Sequence, residues 1–231
     1  MSCDVTTATA NDSAVLVPRL DRDWERLVQP HVFLVLASRV GGLEHINRTR
    51  VEWNGIANGQ FILTTRRAYE AVGTHEAVKD RVAEDLALAQ AYIRQGLNIF
   101  LVHGPEYMTT RMYRSLGEIV EGWSKNLAVG VPFTLPPIPW LRRPAPYLMW
   151  LPALAWLAPP VWWMLYGGAW ALATVAISLA IWGVVYWAEK APIRYALLYP
   201  FGAGVVAFIM LRSAWRGGRK IVWRGREYGS G

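Results

Sequence analysis

The longest apolar stretch of the chain covers residues 144–188, which are 45 positions without a charged side chain. One membrane crossing takes about 20 residues, so this stretch predicts two membrane helices, at about 146–166 and 169–188. A second charge-free run, 195–211, has 17 residues, the short limit for a third crossing. The pattern therefore predicts three membrane helices.

Shorter apolar patterns precede this region. Residues 24–40 are apolar on more than one face but bracketed by charges, which fits a helix lying in the membrane interface, or equally a buried helix of a soluble domain. Residues 82–89 predict the start of a helix with Glu84 and Asp85 facing outward, where the helix dipole favours negative charge. These carboxylates are either ordinary first-turn acids, or one is a general base at the mouth of a pocket.

Three further elements flank this acidic helix. Residues 56–64 are strand-like and contain Gly59, which allows close approach of a backbone or ligand, and residues 97–102 predict a buried strand. Residues 111–126 predict a helix with Trp123 on its apolar stripe. The opposite face of that helix offers three cations: Arg111, Arg114 and Lys125.

The net charge of +7 is concentrated near the C-terminus. Residues 1–188 carry 16 basic and 15 acidic side chains, whereas residues 189–231 carry 8 and 2. Basic residues that flank apolar segments point to membrane phosphates rather than nucleic acid. The single cysteine, Cys3, excludes an intramolecular disulfide and fits a reducing compartment. No signal peptide is expected at the start of the chain.

The triplet Asp21-Arg22-Asp23 has the D-x-D form that holds a divalent cation in nucleotide-sugar enzymes. Here it follows no long buried strand and leads straight into Trp24 and a helix. It is therefore interpreted as an N-cap with first-turn acids, and no metal site is expected in this chain.

The order of several short motifs resembles the second half of a family 2 glycosyltransferase. The resemblance is nearest to the bacterial membrane-bound group similar to carotenoid and ceramide glycosyltransferases, and it covers roughly residues 14–228. The motifs are Asn58-Gly-Gln-Phe61, Arg66-Arg-Ala-Tyr-Glu-Ala-Val-Gly73, Glu84-Asp85, Arg111-Met-Tyr-Arg-Ser115, Gly122-Trp-Ser-Lys-Asn126 and Trp223-Arg-Gly-Arg-Glu-Tyr228.

The resemblance implies an α/β fold: an incomplete GT-A-like, Rossmann-like cytoplasmic domain over residues 1–140. A transmembrane region over 141–212 and a basic tail over 213–231 would follow, giving a multi-pass protein of the cell (inner) membrane. It further implies an inverting hexosyltransferase that moves a sugar from a nucleotide-sugar donor to a lipid-like hydroxyl acceptor. Asp85 would be the general base, and the cleft would be lined by Asn58, Gly59, Gln60, Glu84 and Trp123.

The sequence departs from that family in two respects. The Q-x-x-R-W motif would need Gln and Arg where the chain has Ile119 and Gly122, so Arg111, Arg114 or Lys125 would have to contact the pyrophosphate. The family's N-terminal half, with its metal-binding D-x-D, is also missing from the match. The chain would then be a fragment, the product of a mis-started reading frame, or one part of a split enzyme with a separate N-terminal half as partner. The resemblance further implies a divalent cation (Mg or Mn) for a complete enzyme, and no cofactor is expected in this chain.

Three hypotheses therefore stay open: a glycosyltransferase, a non-catalytic membrane-anchored scaffold of that fold, and a small membrane protein that binds lipid. The topology also contains a conflict. A third crossing at 195–211 would put Arg212, Arg216 and the rest of the basic tail outside, against the positive-inside rule. The alternative is a segment that enters the membrane and returns to the same side.

Overall fold

The computed structural model describes residues 11–15, 17–18, 20–103, 109–216, 221–223 and 226–228. Helices dominate this part of the chain. In chain order, its strands and α-helices are β1 Asn11–Val15, β2 Val17–Pro18, α1 Asp23–Val40, α2 Leu43–Arg48, β3 Ile62–Thr64, α3 Arg66–Ala71, α4 Glu84–Arg94, β4 Phe100–His103, β5 Thr109–Thr110, α5 Leu116–Phe133, α6 Pro139–Arg142, α7 Ala145–Leu148, α8 Leu151–Tyr166, α9 Ala169–Ala188, α10 Tyr199–Arg216, β6 Ile221–Trp223 and β7 Arg226–Tyr228. Short 3-10 helices lie at Glu52–Asn54, His75–Val78 and Ile193–Leu198.

The strands are short and form little sheet. Strand β1 pairs antiparallel with β3 and parallel with β4, which gives three strands in the order β3-β1-β4. Strands β2 and β5 form a parallel pair, and β6 and β7 form an antiparallel pair. No strand within the described ranges is longer than the five residues of β1.

The expectation of an α/β, GT-A-like (Rossmann-like) domain is therefore wrong for this chain. A Rossmann-like sheet needs helices packed on both of its faces. Here the two longest helices before the membrane region, α1 and α5, bury their apolar sides against α10 and α8 instead. In place of the predicted strands at 56–64 and 97–102, the structure has only β3, with three residues, and β4, with four. Strands this short do not form a broad sheet.

The main helical core, which we call the bundle core, joins four helices. It contains buried residues of α1, α5, α8 and α10 together with Tyr113. These residues are Val28, Val32, Tyr113, Ile119, Trp123, Leu127, Ala153, Val206, Ala207, Ile209 and Met210. Burial of this much apolar surface, at roughly 25 cal/mol per Å², is the main force holding α5 to the helices that follow it.

A second core lies around α4. Leu88, Ala89, Tyr92 and Ile93 of that helix pack with apolar residues of the elements between α2 and β4. A third, the aromatic cluster, joins the end of α9 to the start of α10 through Trp182, Tyr186, Tyr195 and Tyr199. The structure thus places the acidic helix α4 in its own small core.

The predicted membrane helices form with small shifts. Helix α9 matches the predicted 169–188, and α8 ends at Tyr166, beside Gly167, where a positive φ turns the chain. Two segments, Ala169–Ala188 and Ile193–Arg216, are long and apolar enough to cross a membrane. The bent pair Pro139–Leu148 and Leu151–Tyr166 adds a third if it counts as one span. Membrane association is therefore indicated, and the number of crossings stays a prediction.

Candidate active site

Helix α4 holds Asp85 at its first turn. The helix begins at Glu84, and its buried residues Leu88, Ala89, Tyr92 and Ile93 fix it on the core beneath. Two polar contacts add to this packing. The Tyr92 hydroxyl lies 3.0 Å from the Thr64 hydroxyl, and the Gln90 amide donates to the Phe133 carbonyl at 3.0 Å. The position of Asp85 is therefore fixed relative to β3 and to the end of α5.

Both oxygens of the Asp85 carboxylate accept backbone hydrogen bonds. The Gly59 N–H donates to Oδ2 at 2.9 Å, and the Leu86 N–H donates to Oδ1 at 2.8 Å. Each oxygen keeps a second lone pair, and the residue is half-buried. The carboxylate is thus held in one orientation and can still accept a proton from a group that reaches it.

The loop of residues 58–60, the Gly59 loop, is shaped to meet that carboxylate. A Cβ at Gly59 would lie 3.1 Å from Asp85 Oδ2 and 3.2 Å from Asp85 Cβ, so a side chain there would crowd the contact. The Asn58 side-chain oxygen accepts from the Gln60 N–H at 3.1 Å and closes the turn. The structure therefore brings four predicted site residues, Asn58, Gly59, Gln60 and Asp85, to one place.

Gly55 is a site-supporting residue that the sequence analysis missed. A Cβ at this position would lie 2.6 Å from Ile93 Cδ1 and 3.1 Å from the Glu52 carbonyl oxygen, so a side chain there would crowd the packing of this segment on α4. The available signal was the repeated Asn-Gly pair, Asn54-Gly55 and Asn58-Gly59, which marks two turns in close succession.

Glu84 and Trp123 lie differently from the Gly59 loop. Glu84 is exposed at the first position of α4. Trp123 is 6% exposed in the bundle core, where its indole N–H donates to the Gln29 side-chain oxygen at 3.0 Å. Phe33 and Tyr113 pack on its ring. The described contacts of Trp123 are thus made with α1, with Tyr113 just before α5 and within the bundle core rather than with the Gly59 loop.

The three candidate phosphate-binding cations are distributed along the α5 region. Arg111 donates through Nε to Glu25 Oε1 at 3.0 Å, and Glu25 is 2% exposed. Arg114 is exposed, and Lys125 is half-buried on α5. A buried carboxylate such as that of Glu25 needs a compensating charge. Arg111 supplies this charge and therefore already has a structural role.

The Asp21-Arg22-Asp23 triplet lies at the start of α1. Asp23 is in the first helical turn, as expected, but the N-cap is Arg22, and Glu25 accepts from the Asp21 and Arg22 backbone N–H groups at 2.9 and 2.8 Å. The Asp23 carboxylate accepts from the Tyr195 hydroxyl. Among the residues that the structure describes, no group of three or more His, Cys, Asp or Glu side chains could hold a metal ion.

Comparison with known proteins places this geometry in a family. The model of glycosyl transferase family 21 matches residues 49–230, which include the Gly59 loop, α4, α5 and the apolar helices. No curated protein and no solved structure matches the chain. The prediction of a glycosyltransferase is confirmed at the level of the family, although the family shown is 21 and not 2. The chain belongs to glycosyl transferase family 21.

Proposed function

We propose that the chain takes part in inverting transfer of a sugar from a nucleotide-sugar donor to a lipid-like hydroxyl, with Asp85 as general base. The observation that supports this most is the Asp85 carboxylate, half-buried and oriented by the Gly59 N–H at 2.9 Å. A general base must meet the acceptor proton at about 2.6–3.2 Å in a fixed geometry, and a held but accessible carboxylate suits that task.

The proposed step moves one proton and exchanges one bond at the sugar. The acceptor hydroxyl gives its proton to Asp85 while its oxygen forms a bond to the anomeric carbon. The bond from that carbon to the donor phosphate breaks on the opposite face, and the nucleoside diphosphate leaves with the electron pair. Glu84, exposed beside Asp85, and the polar side chains of Asn58 and Gln60 are proposed to line the cleft.

The leaving diphosphate carries negative charge that must be balanced. Arg111, Arg114 and Lys125 are the proposed contacts in this chain, and Arg111 also binds Glu25. A divalent cation is proposed for the complete enzyme. The described residues do not fit such an ion, because they contain no cluster of suitable ligands, and no step here is derived through it.

The membrane setting supports a lipid-like acceptor. Helices α8 and α9 form an apolar hairpin, and the short helix α7 separates it from Arg142 and Arg143 at the end of α6. Lys190 and Arg194 lie at the other end of the hairpin, and the positive-inside rule supports the proposal that these four residues, and Asp85 with them, face the cytoplasm of a multi-pass protein. A lipid hydroxyl at that face could then reach the carboxylate.

The test is transfer of radiolabelled hexose from a panel of UDP-hexoses to lipid, in membranes of the native cells, which supply the full-length chain together with the proposed N-terminal partner and a divalent cation. Asp85→Asn keeps the size of the side chain and an oxygen for the Gly59 N–H, but it removes the base. We expect a rate loss of about 10²-fold or more. Asp80→Asn, the same substitution at an exposed residue outside the proposed cleft, is the matched control and should stay within about threefold, because it leaves the proton acceptor intact.

Unchanged thermal unfolding of the Asp85→Asn variant would separate a lost base from a lost fold. Wild-type turnover by this variant would contradict the assignment of Asp85. A loss of equal size in Asp80→Asn would point instead to a general need for negative charge near the start of α4.

A further inference from the structure

The last apolar segment, Ile193–Arg216, differs from α9 in its surroundings. Half of its most apolar window is buried inside the protein, compared with 22% for α9. The buried side of α10 packs on α1, α5 and α8. A segment with one face on protein and one face exposed can either cross the bilayer or lie along its surface. The two arrangements differ in whether the ends of the segment lie on opposite sides or on the same side of the membrane.

The C-terminal end of α10 is fixed to the first half of α5. Arg212 donates to Glu121 Oε2 at 2.8 Å, and Arg216 donates to the other oxygen of the same carboxylate. One turn further along, the Ser124 hydroxyl donates to the Ile209 carbonyl at 3.3 Å. The Ser213 hydroxyl donates to the Ser124 carbonyl. The end of α10 must therefore lie on the same side of the membrane as the first half of α5.

Helix α5 lies on the same side as Asp85 along its whole length. Its C-terminal end meets α4 through the hydrogen bond from Gln90 to the Phe133 carbonyl. Its N-terminal end follows residues 94–115, which include Arg94, Glu106 and Arg111 and hold no apolar run of the roughly 20 residues that a crossing needs. Strands and irregular backbone do not cross lipid singly, because their polar groups would be unpaired.

The start of the last segment is fixed to the same layer of helices. The Tyr195 hydroxyl donates to Asp23, and the Tyr199 carbonyl meets the His31 ring nitrogen Nε2 at 3.0 Å. Both partners belong to α1, whose Glu25 binds Arg111 just before α5. Two crossings, by α8 and α9, also return the chain to the side on which it entered. Both ends of Ile193–Arg216 therefore lie on the Asp85 side.

The hairpin gives an independent indication. Every residue from 157 to 177 is described, and among them Ala171 alone is buried. The protein contacts of the hairpin are at its base, through Ala153 and Trp156 on α8 and Trp182 and Tyr186 on α9. A crossing α10 would be expected to pack along the hairpin to its tip, whereas here the outer half stands free.

We infer that α10 does not cross the bilayer but lies along the surface of the leaflet that faces Asp85, with one apolar stripe in the lipid. The stripe lies opposite the face that packs on α1 and α5, and the half-buried Gly204 and Val205 occupy the two turns between Phe201 and Phe208. Its exposed members on α10 are Phe201, Phe208, Leu211 and Trp215, and Leu197 of the preceding 3-10 helix is exposed as well. The partner is the lipid bilayer itself, which such a one-sided helix enters to the level of the headgroup and acyl boundary.

This arrangement removes the conflict in the charge pattern. The basic residues that follow α9 all stay on the side of Arg142 and Arg143, as the positive-inside rule requires. The α8–α9 hairpin is then the spanning anchor, and α10 is a second, surface attachment that sets the helical layer against the lipid.

The experiment compares three single-cysteine variants of the full chain in a Cys3→Ser background. Ser230→Cys reports on the tail, Arg67→Cys reports on the exposed surface of α3, and a cysteine inserted between Gly167 and Gly168 reports on the tip of the hairpin. A membrane-impermeant maleimide is applied to intact cells and to opened cells. We expect the tail and α3 cysteines to behave alike and the hairpin cysteine to behave oppositely.

Labelling of Ser230→Cys together with the hairpin cysteine, and not with Arg67→Cys, would overturn the inference. So would a hairpin cysteine that behaves like Arg67→Cys, because the hairpin would then not cross. The readout does not depend on sugar transfer, so its failure and a failure of the proposed function can be told apart.

Discussion

Gly122 stands on α5 at the position where the resemblance expected an arginine, and the structure leaves it no room. A Cβ there would lie 2.4 Å from Tyr113 Cε1 and 2.6 Å from the Tyr113 hydroxyl oxygen. Tyr113 is itself 7% exposed, and its burial raises the pKa of its hydroxyl. The Tyr113 ring thus occupies the space beside α5 that a side chain at position 122 would need. This is the steric reason why the chain has glycine where the Q-x-x-R-W motif has arginine.

Gly122→Ala should therefore destabilise the protein. Overpacking of a closely filled site costs about 1–3 kcal/mol, more than the helix propensity gained by replacing glycine. Gly117→Ala is the matched control on the same helix, because the nearest atom to its Cβ would be Ser115 Oγ at 3.8 Å. The free energy of unfolding in detergent should fall for the first variant and rise slightly or stay level for the second. Equal stability of the two variants would contradict the contact with Tyr113.

The structural role of Trp123 could not be predicted from the sequence. The resemblance placed it in the cleft, but a buried indole needs a partner for its N–H, and here that partner is Gln29, 94 residues earlier in the chain. Nothing in the local pattern of α5 indicates Gln29. The sequence predicted only that Gly59 allows a close approach, and the resemblance assigned Gly59 and Asp85 to one cleft. The hydrogen bond between them, 26 residues apart, was not predicted, and Gly59 lies in a turn rather than in a strand.

At the scale of elements, the joint between α5 and α10 rests on one carboxylate and two arginines. Burial alone would raise the pKa of Glu121, but the hydrogen bonds from Arg216 and Arg212 outweigh it, and the net pKa is lowered. A carboxylate whose pKa is lowered by folding stabilises the folded state above its unfolded pKa. That contribution is lost as the pH falls through the lower, folded pKa.

Glu121→Gln should weaken this joint at neutral pH. Because the Glu121 side chain is 40% exposed, solvent screens the two ion pairs, and a loss of roughly 1 kcal/mol is expected. Glu70→Gln, which breaks the exposed pair with Arg66 on α3, is the control and should change the free energy of unfolding by less than about 0.5 kcal/mol. Denaturant unfolding at pH 7 and low salt measures both variants. Indistinguishable values would mean that Glu121 does not hold α10.

The ends of a helix could be predicted where the residues that mark them are adjacent to the helix in the sequence. Helix α9 lies between Gly168 and Glu189, the limits that the charge-free pattern indicated. Helix α5 begins at Leu116, five residues later than predicted, because Ser115 caps it by accepting from the Glu118 N–H at 3.1 Å. That Ser-x-x-Glu signal is present in the sequence and marks the start of the helix more accurately than the apolar stripe, from which the start was predicted.

At the scale of the whole molecule, three helices meet at His31. The ring belongs to α1, stacks on Trp182 of α9 at 3.6 Å between centroids, and contacts Tyr199 at the start of α10. Gly202 of α10 has no space for a Cβ, which would lie 2.5 Å from the Leu27 carbonyl oxygen. These contacts pack α1 on α9 and α10 rather than on a sheet, and they join residues some 150–170 apart in the chain. The fold class could not be predicted because the local sequence pattern does not indicate contacts over such a distance.

Burial lowers the pKa of His31 to about 4, from an ordinary value of 6.5. The unfolded chain therefore binds a proton more readily than the folded one between these values, so stability is complete above about pH 6.5 and falls as the pH drops towards 4. At pH 5 the expected loss is about 2 kcal/mol. Thermal unfolding followed by tryptophan fluorescence between pH 7 and pH 5 measures it.

His31→Gln is the variant that isolates this effect, since it keeps a polar side chain but does not titrate. Its unfolding temperature should vary much less across the same pH range, while His75→Gln, at an exposed position, should keep the full wild-type dependence. A wild-type pH dependence in His31→Gln would assign the effect to another group.

The hydrogen bond from Gly59 to Asp85 also makes one backbone amide a natural spectroscopic probe. Its donor is a glycine, so selective ¹⁵N-glycine labelling would report on it among the signals of the 20 glycines. Protonation of the carboxylate, or an acceptor hydroxyl arriving at Oδ2, would weaken the pull on that N–H and shift its proton resonance upfield. The state of the proposed base could thus be followed by nuclear magnetic resonance without altering Asp85.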